Sequence, residues 1–136
     1  MQPARQLAQW SIFVFVFALF FWVWAIVNTA TKGMGMDLGV ISFLTVMVSN
    51  GYMYHATCHG QASTRLGNDT TRITIMLTYG LVILNYILGL VIGIHLGMTK
   101  FSVYCGVFVF LWASLAYRTS DLIGKAVSNY EPLLGN

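Results

Sequence analysis

Hydrophobic residues run through this chain in four long blocks, separated by short polar stretches. Residues 7–27 carry no charge, and a helix needs roughly 20 apolar residues, at 1.5 Å each, to cross the hydrocarbon of a bilayer. Trp10 at one end of this block, and Trp22 and Trp24 at the other, fit the aromatic belts of membrane interfaces. Lys32, Gly33 and Gly35 punctuate the loop that follows. The second block, residues 37–55, is the most polar of the four, with Ser42, Thr45, Ser49 and Asn50, so it is expected to face other helices.

The third block, residues 73–98, and the fourth, 101–117, are separated only by Thr99 and Lys100, which predicts a tight antiparallel hairpin. Ahead of the third lies the most polar stretch of the chain, residues 58–72, where Thr70 or Thr71 is suited to cap the next helix. A polar tail of amphipathic character covers 118–136. The pattern therefore predicts an all-α membrane protein, one domain over residues 1–136, with four transmembrane helices in a compact bundle.

Composition agrees. The chain is 57% hydrophobic and 8% charged, against roughly a quarter charged in soluble domains, too little polar surface to cover a water-facing fold of this length. The first block is too long for the apolar core of a signal peptide, and Asn28-Thr29-Ala30-Thr31 is a weak cleavage match, so this helix is expected to be retained. The net charge of +3 is scattered over short loops and forms no basic stripe, which leaves nucleic-acid binding without support.

Charge placement also predicts orientation. Arg5, Arg65, Arg72, Arg118 and Lys125 flank one side of the four blocks, and only Lys32 and Lys100 the other. The excess of basic residues in short loops marks the cytoplasmic side, which puts both termini and the middle loop in the cytoplasm. The glycosylation pattern Asn68-Asp69-Thr70 would then face the cytoplasm and stay unmodified. Endomembrane or plasma membrane is the favoured compartment, with the mitochondrial inner membrane as the alternative.

Gly89, Gly93 and Gly97 recur every four residues in the third block, with Gly80 further back. That spacing forms a stripe on which another backbone can approach closely, either within the bundle or from a partner subunit. Asn85 sits four residues before Gly89, near the middle of the block, where an amide needs a partner; Thr45, Ser49 and Asn50 are the candidates. A polar clasp is the plainer reading of this set, and a polar path the sharper one.

His55, Cys58 and His59 can share one helical face, a donor set suited to zinc, copper or iron, although such residues also form ordinary interfacial patches. Cys58 is alternatively a lipidation candidate. His95 falls at the far end of the third block, roughly 30 Å away across the membrane, too far to share a haem with His55 or His59. Tyr130, Leu133 and Leu134 fit either a tyrosine-based sorting signal or a docking tail.

No Asp, Glu, Lys or Arg lies within the blocks away from their ends, which lowers the case for an ion-coupled transporter. The four acids, Asp37, Asp69, Asp121 and Glu131, are dispersed, and Cys58 with His55 or His59 is the only local nucleophile–base pair. Enzyme activity is not expected, and neither is a resident cofactor.

The leading expectation is a non-enzymatic accessory or structural subunit. It would pack through the small-residue face against other integral membrane subunits or copies of itself, with membrane lipid around it. The alternatives are a small oligomeric channel or carrier with an Asn/Ser/Thr-lined path, and a redox or metal-binding subunit built on His55, Cys58 and His59.

Overall fold

A computed structural model describes residues 3–32 and 37–135, giving the backbone alone at 3–4, 29, 31–32, 37–38, 62–63 and 129–135. The described chain is helical nearly throughout: α1 (Pro3–Lys32), α2 (Asp37–Cys58), α3 (Ala62–Leu66), α4 (Asp69–His95) and α5 (Thr99–Gly135). Among the described residues there is no strand. α1 packs mainly on α2 and α4 mainly on α5, and the ring closes through α2 against α4 and α1 against α5. Short α3 lies across one end, against α5, α2 and α4.

Among the described residues, three helical stretches are long and apolar enough to cross a membrane: Arg5–Asn28 in α1, Asp69–His95 in α4 and Thr99–Ser128 in α5. α2 has the length, at 22 residues, but is not among them. The serines and the asparagine in its middle lie on one side, while Tyr52, Tyr54, His55 and Cys58 near its end are exposed. Ser42, Ser49 and Asn50 are buried in the bundle, while Ile41, Leu44 and Val48 face outward.

The inward positions follow a repeat near 3.5 residues. In α1 they are Leu7, Ser11, Val14, Ala18 and Ala25; in α4, Ile75, Tyr79, Val82, Tyr86 and Gly93; in α5, Ser102, Cys105, Trp112, Leu115, Thr119, Leu122 and Ala126. That period keeps one seam of each helix on its neighbours along its whole length, as in other antiparallel bundles. The seams are not the most apolar faces. Serines, a threonine and an asparagine occupy them, while Phe20 is 69% exposed and Phe110 77% exposed on the outside. Large apolar side chains face outward as well as inward, unlike in a soluble bundle, which suits lipid surroundings.

An aromatic cluster fills the centre. Trp112 is fully buried, with Phe17, Phe43 and Phe21 around it at ring-centroid distances of 5.7, 5.7 and 5.8 Å. Phe21 meets Phe108 edge-on at 5.2 Å, and Phe108 meets Tyr86 at the same distance. Edge-to-face and tilted contacts of this kind add about 0.5–1.5 kcal/mol per pair beyond burial. The cluster draws residues from all four long helices.

Helix boundaries differ from the hydropathy pattern. α1 extends past 7–27 at both ends, beginning at Pro3, whose fixed φ and missing N–H suit a first helical turn. α5 does not stop at 117 but continues to Gly135, so the expected tail is the second half of a 37-residue helix. Hydropathy marks the lipid-soluble part of a helix and is blind to a helix that continues beyond it. The cap of α4 is Asn68, whose side-chain oxygen accepts from the Thr70 backbone N–H at 2.9 Å; neither Thr70 nor Thr71 takes that role.

The α4–α5 turn is equally specific. Gly97 has φ +74°, its N–H donates to the Ile94 carbonyl at 3.2 Å, and the Met98 N–H donates to the Gly93 carbonyl at 2.8 Å. This pair of bonds is the Schellman arrangement, and its left-handed position suits glycine. Gly97 thus ends the helix and belongs to no packing stripe.

The other glycines divide. A methyl on Gly89 would lie 2.9 Å from Cys105 Sγ, and one on Gly93 would collide with Ser102 Oγ and crowd the Phe101 ring at 3.1 Å. A methyl on Gly80 would meet nothing within 4 Å. Gly89 and Gly93 therefore admit α5 inside this chain's own hairpin. Gly93→Ala is expected to destabilise the bundle by about 1–3 kcal/mol through overpacking, whereas Gly80→Ala should be neutral or stabilising by up to about 1 kcal/mol. Reversible unfolding in mixed micelles measures both, and equal stability of the two variants would refute the close approach.

Candidate functional site

Polar side chains buried in a lipid-facing bundle must find partners in the protein, because an unmet donor or acceptor there costs several kcal/mol. One connected set does so across all four long helices. From α2, Asn50, fully buried, donates through Nδ2 to the Val46 carbonyl at 2.8 Å and to the Tyr79 hydroxyl at 3.1 Å. Tyr79, fully buried on α4, donates back to Asn50 Oδ1 at 3.2 Å. From α5, Thr119 Oγ1 has one proton to give, to the Leu115 carbonyl at 2.8 Å or the Tyr79 hydroxyl at 3.2 Å. Trp10 of α1 closes the chain, its indole N–H donating to Thr119 Oγ1 at 2.8 Å.

Asn50, Tyr79 and Thr119 are buried and Trp10 half-buried at one level, near the end that holds α3. A second contact reinforces the α2–α4 side: Ser49 Oγ lies 3.1 Å from Thr78 Oγ1. None of these groups carries a charge, and each has a partner within the chain. The arrangement joins helix to helix and fixes their register.

The structure sorts the residues singled out by sequence. Ser49 and Asn50 join the network, but Thr45 bonds only back to its own helix, at the Ser42 carbonyl, 2.7 Å. The expected pairing of Asn85 with this group does not form. Asn85 stands six residues beyond Tyr79 along α4, roughly 9 Å further up the helix. There it lies against the start of α2, its Nδ2 3.5 Å from where a methyl on Gly39 would sit, with Ala25 of α1 also beside that point. A path lined by both Asn50 and Asn85 would therefore have to join two levels of the bundle, and Asn50 is sealed from the surface.

His55 and His59 bring their rings to 4.2 Å between centroids, inclined by 50°, and both are exposed, as is Cys58. Among the described residues no three His, Cys, Asp or Glu side chains gather as a set able to hold a metal ion. His95 ends α4 at the opposite end of the bundle. Tyr130, Leu133 and Leu134 fall in the last turns of α5, where their side chains lie outside the described residues.

Sequence reasoning missed Tyr79, Thr119 and the inward role of Trp10. Trp10 reads as a belt residue, and Thr119 falls beyond the apolar block. A signal was nonetheless present: Cys105, Trp112, Thr119 and Ala126 are spaced by seven, one seam running straight through the supposed end of the span. Comparison with known protein families, with curated proteins and with solved structures finds no match to this chain.

Interhelical hydrogen bonds in membrane proteins average about 0.6 kcal/mol and reach about 1.7. Tyr79→Phe removes the hydroxyl at the centre of the network and should cost at the upper end of that range, whereas Thr45→Val should change little. A double-mutant cycle of Tyr79→Phe with Thr119→Val, read by unfolding in micelles, should return a coupling above about 0.5 kcal/mol. Simple additivity would show that the two hydroxyls do not act together.

Proposed function

We propose that this chain is a four-pass, non-enzymatic membrane subunit with both termini cytoplasmic, which takes its place in a larger membrane assembly or homo-oligomer. The observation that carries the reading is the apolar outer face of the bundle around a core whose polar network is partnered within the chain. Of the buried polar side chains, Ser49, Asn50, Ser102 and Thr119 bond across to another helix, so the interior is a packed support and the outer faces are left for lipid and protein neighbours.

Chain direction supports the fourth crossing. Trp10 early in α1 and Tyr79 early in α4 both meet Thr119, while Ala25 late in α1 and Asn85 late in α4 both flank Gly39 at the start of α2. α1 and α4 are therefore parallel. If both span the bilayer, the chain must return across it between them, and α2 is the helix that makes the return. Its outward Ile41, Leu44 and Val48 suit lipid, and its serines and Asn50 are hidden. Arg5, Arg65, Arg72, Arg118 and Lys125 then lie at the end that holds α3, in keeping with a cytoplasmic placement.

Gly89 and Gly93 face α5 of the same chain, so any neighbouring subunit meets the apolar outer faces or the polar ends instead. Two measurements test the reading. Single cysteines placed near Lys32 and Lys100 should react with a membrane-impermeant thiol reagent only from outside the cell, and one near Arg65 only after permeabilisation. Crosslinking in intact membranes, followed by gentle purification, should recover the chain in a complex larger than a monomer. A monomer without partners under those conditions would overturn the subunit role, and labelling of the Lys32 and Lys100 sites from opposite sides would overturn the topology.

A further inference from the structure

At the end of the bundle that holds α3, the first turns of α1 and the latter half of α5 leave an open groove between them, lined by Gln6, Gln9, Trp10, Phe13, Arg118 and Leu122. Its chemistry changes along its length. Phe13 is apolar and half exposed, and the indole of Trp10 turns its N–H away to Thr119, so it offers the groove its ring. Towards the end of the bundle, on α1, come the amides of Gln6 and Gln9; Arg118, next to Thr119, stands at the level of Trp10, with Leu122 one turn further along α5. Apolar rings beside a cluster of hydrogen-bond donors match a phospholipid, whose acyl chains are esterified to a glycerol that carries the phosphate.

We propose that this groove binds an anionic glycerophospholipid of the surrounding bilayer. Its phosphate would lie on Arg118 and the glutamine amides, and one acyl chain would run over Trp10 and Phe13. The inference rests on the membrane placement given above. Charge complementarity selects the anionic class. Arg118 has no ion-pair partner among the described residues, and its neighbour Asp121 is engaged by Lys125 at 3.2 Å. Arg5, Arg65 and Arg72 belong to the same end of the chain and add to its positive field. A guanidinium suits a phosphate better than an ammonium does, because its fork of N–H donors can take two oxygens at once. The depth also fits: Gln6 and Gln9 open the apolar stretch of α1, and Trp10 is at the level where indoles meet headgroups.

The test uses the full chain reconstituted in phosphatidylcholine vesicles. These are doped with a minor fraction of either photoactivatable phosphatidylserine or photoactivatable phosphatidylcholine, and adducts are mapped by mass spectrometry. Phosphatidylserine should label residues 6–13 and 118–122 about fivefold more than phosphatidylcholine does, the ratio expected for one basic side chain at an anionic site. Arg118→Gln should bring the two lipids to parity there, while Lys100→Gln, at the other end of the bundle, should leave the preference intact. Labelling of the outer faces around Phe20 and Phe110 reports a folded and inserted bundle in every sample. Equal labelling of the groove by the two lipids, or an unchanged preference in Arg118→Gln, would overturn the lipid site while leaving the membrane reading standing. Loss of outer-face labelling in the unaltered protein would overturn both.

Discussion

A fully buried amide has no water to bond with, so the helices around Asn50 must bring it a partner. Tyr79 does so from α4, and its hydroxyl needs further partners in turn. Thr119 of α5 and Trp10 of α1 complete the chain, so meeting the needs of one side chain fixes the relative height of four helices. A slip of one turn, about 5.4 Å along any helix, would break the set. Packing between apolar surfaces gives weak discrimination of this kind, since lipid tails are as apolar as leucine. The polar chain therefore supplies register, and the aromatic cluster around Trp112 supplies contact area.

The opposite half of the bundle is held by different means. There the helices are positioned by the absence of side chains: α5 comes so close to α4 at Gly89 and Gly93 that no methyl could be added without displacement. The Gly97 turn sets the angle at which the two helices part. Polar clasp at one end and close backbone contact at the other are both short-ranged and geometrically demanding. Together they give a bundle with a definite shape in a solvent that exerts little pressure towards one.

These constraints bear on function through what they leave over. Several residues singled out in the sequence are taken up in structure: Asn50 and Ser49 in the clasp, Gly89 and Gly93 in the hairpin, Gly97 in a helix cap, Asn68 at the start of α4, while His55, Cys58 and His59 stay exposed. What remains outward is apolar along the helices and basic at the end that holds α3.

The sequence by itself determined the helical class, the positions of the apolar blocks and the tight turn between α4 and α5. Each depends on local quantities: hydropathy over about 20 residues, or a break of a few residues between blocks. It also carried the inward seam of α5, although only a seven-residue spacing and no contrast in hydrophobicity marked it. Partner choice was decided by the tertiary structure alone. Asn50 joined Tyr79 and not Asn85, and the glycine stripe turned to α5 of the same chain and not to a stranger. Both outcomes depend on helix rotation and relative height. In lipid these follow from which polar and small groups meet across the bundle, a property of pairs of helices that no single stretch of sequence contains.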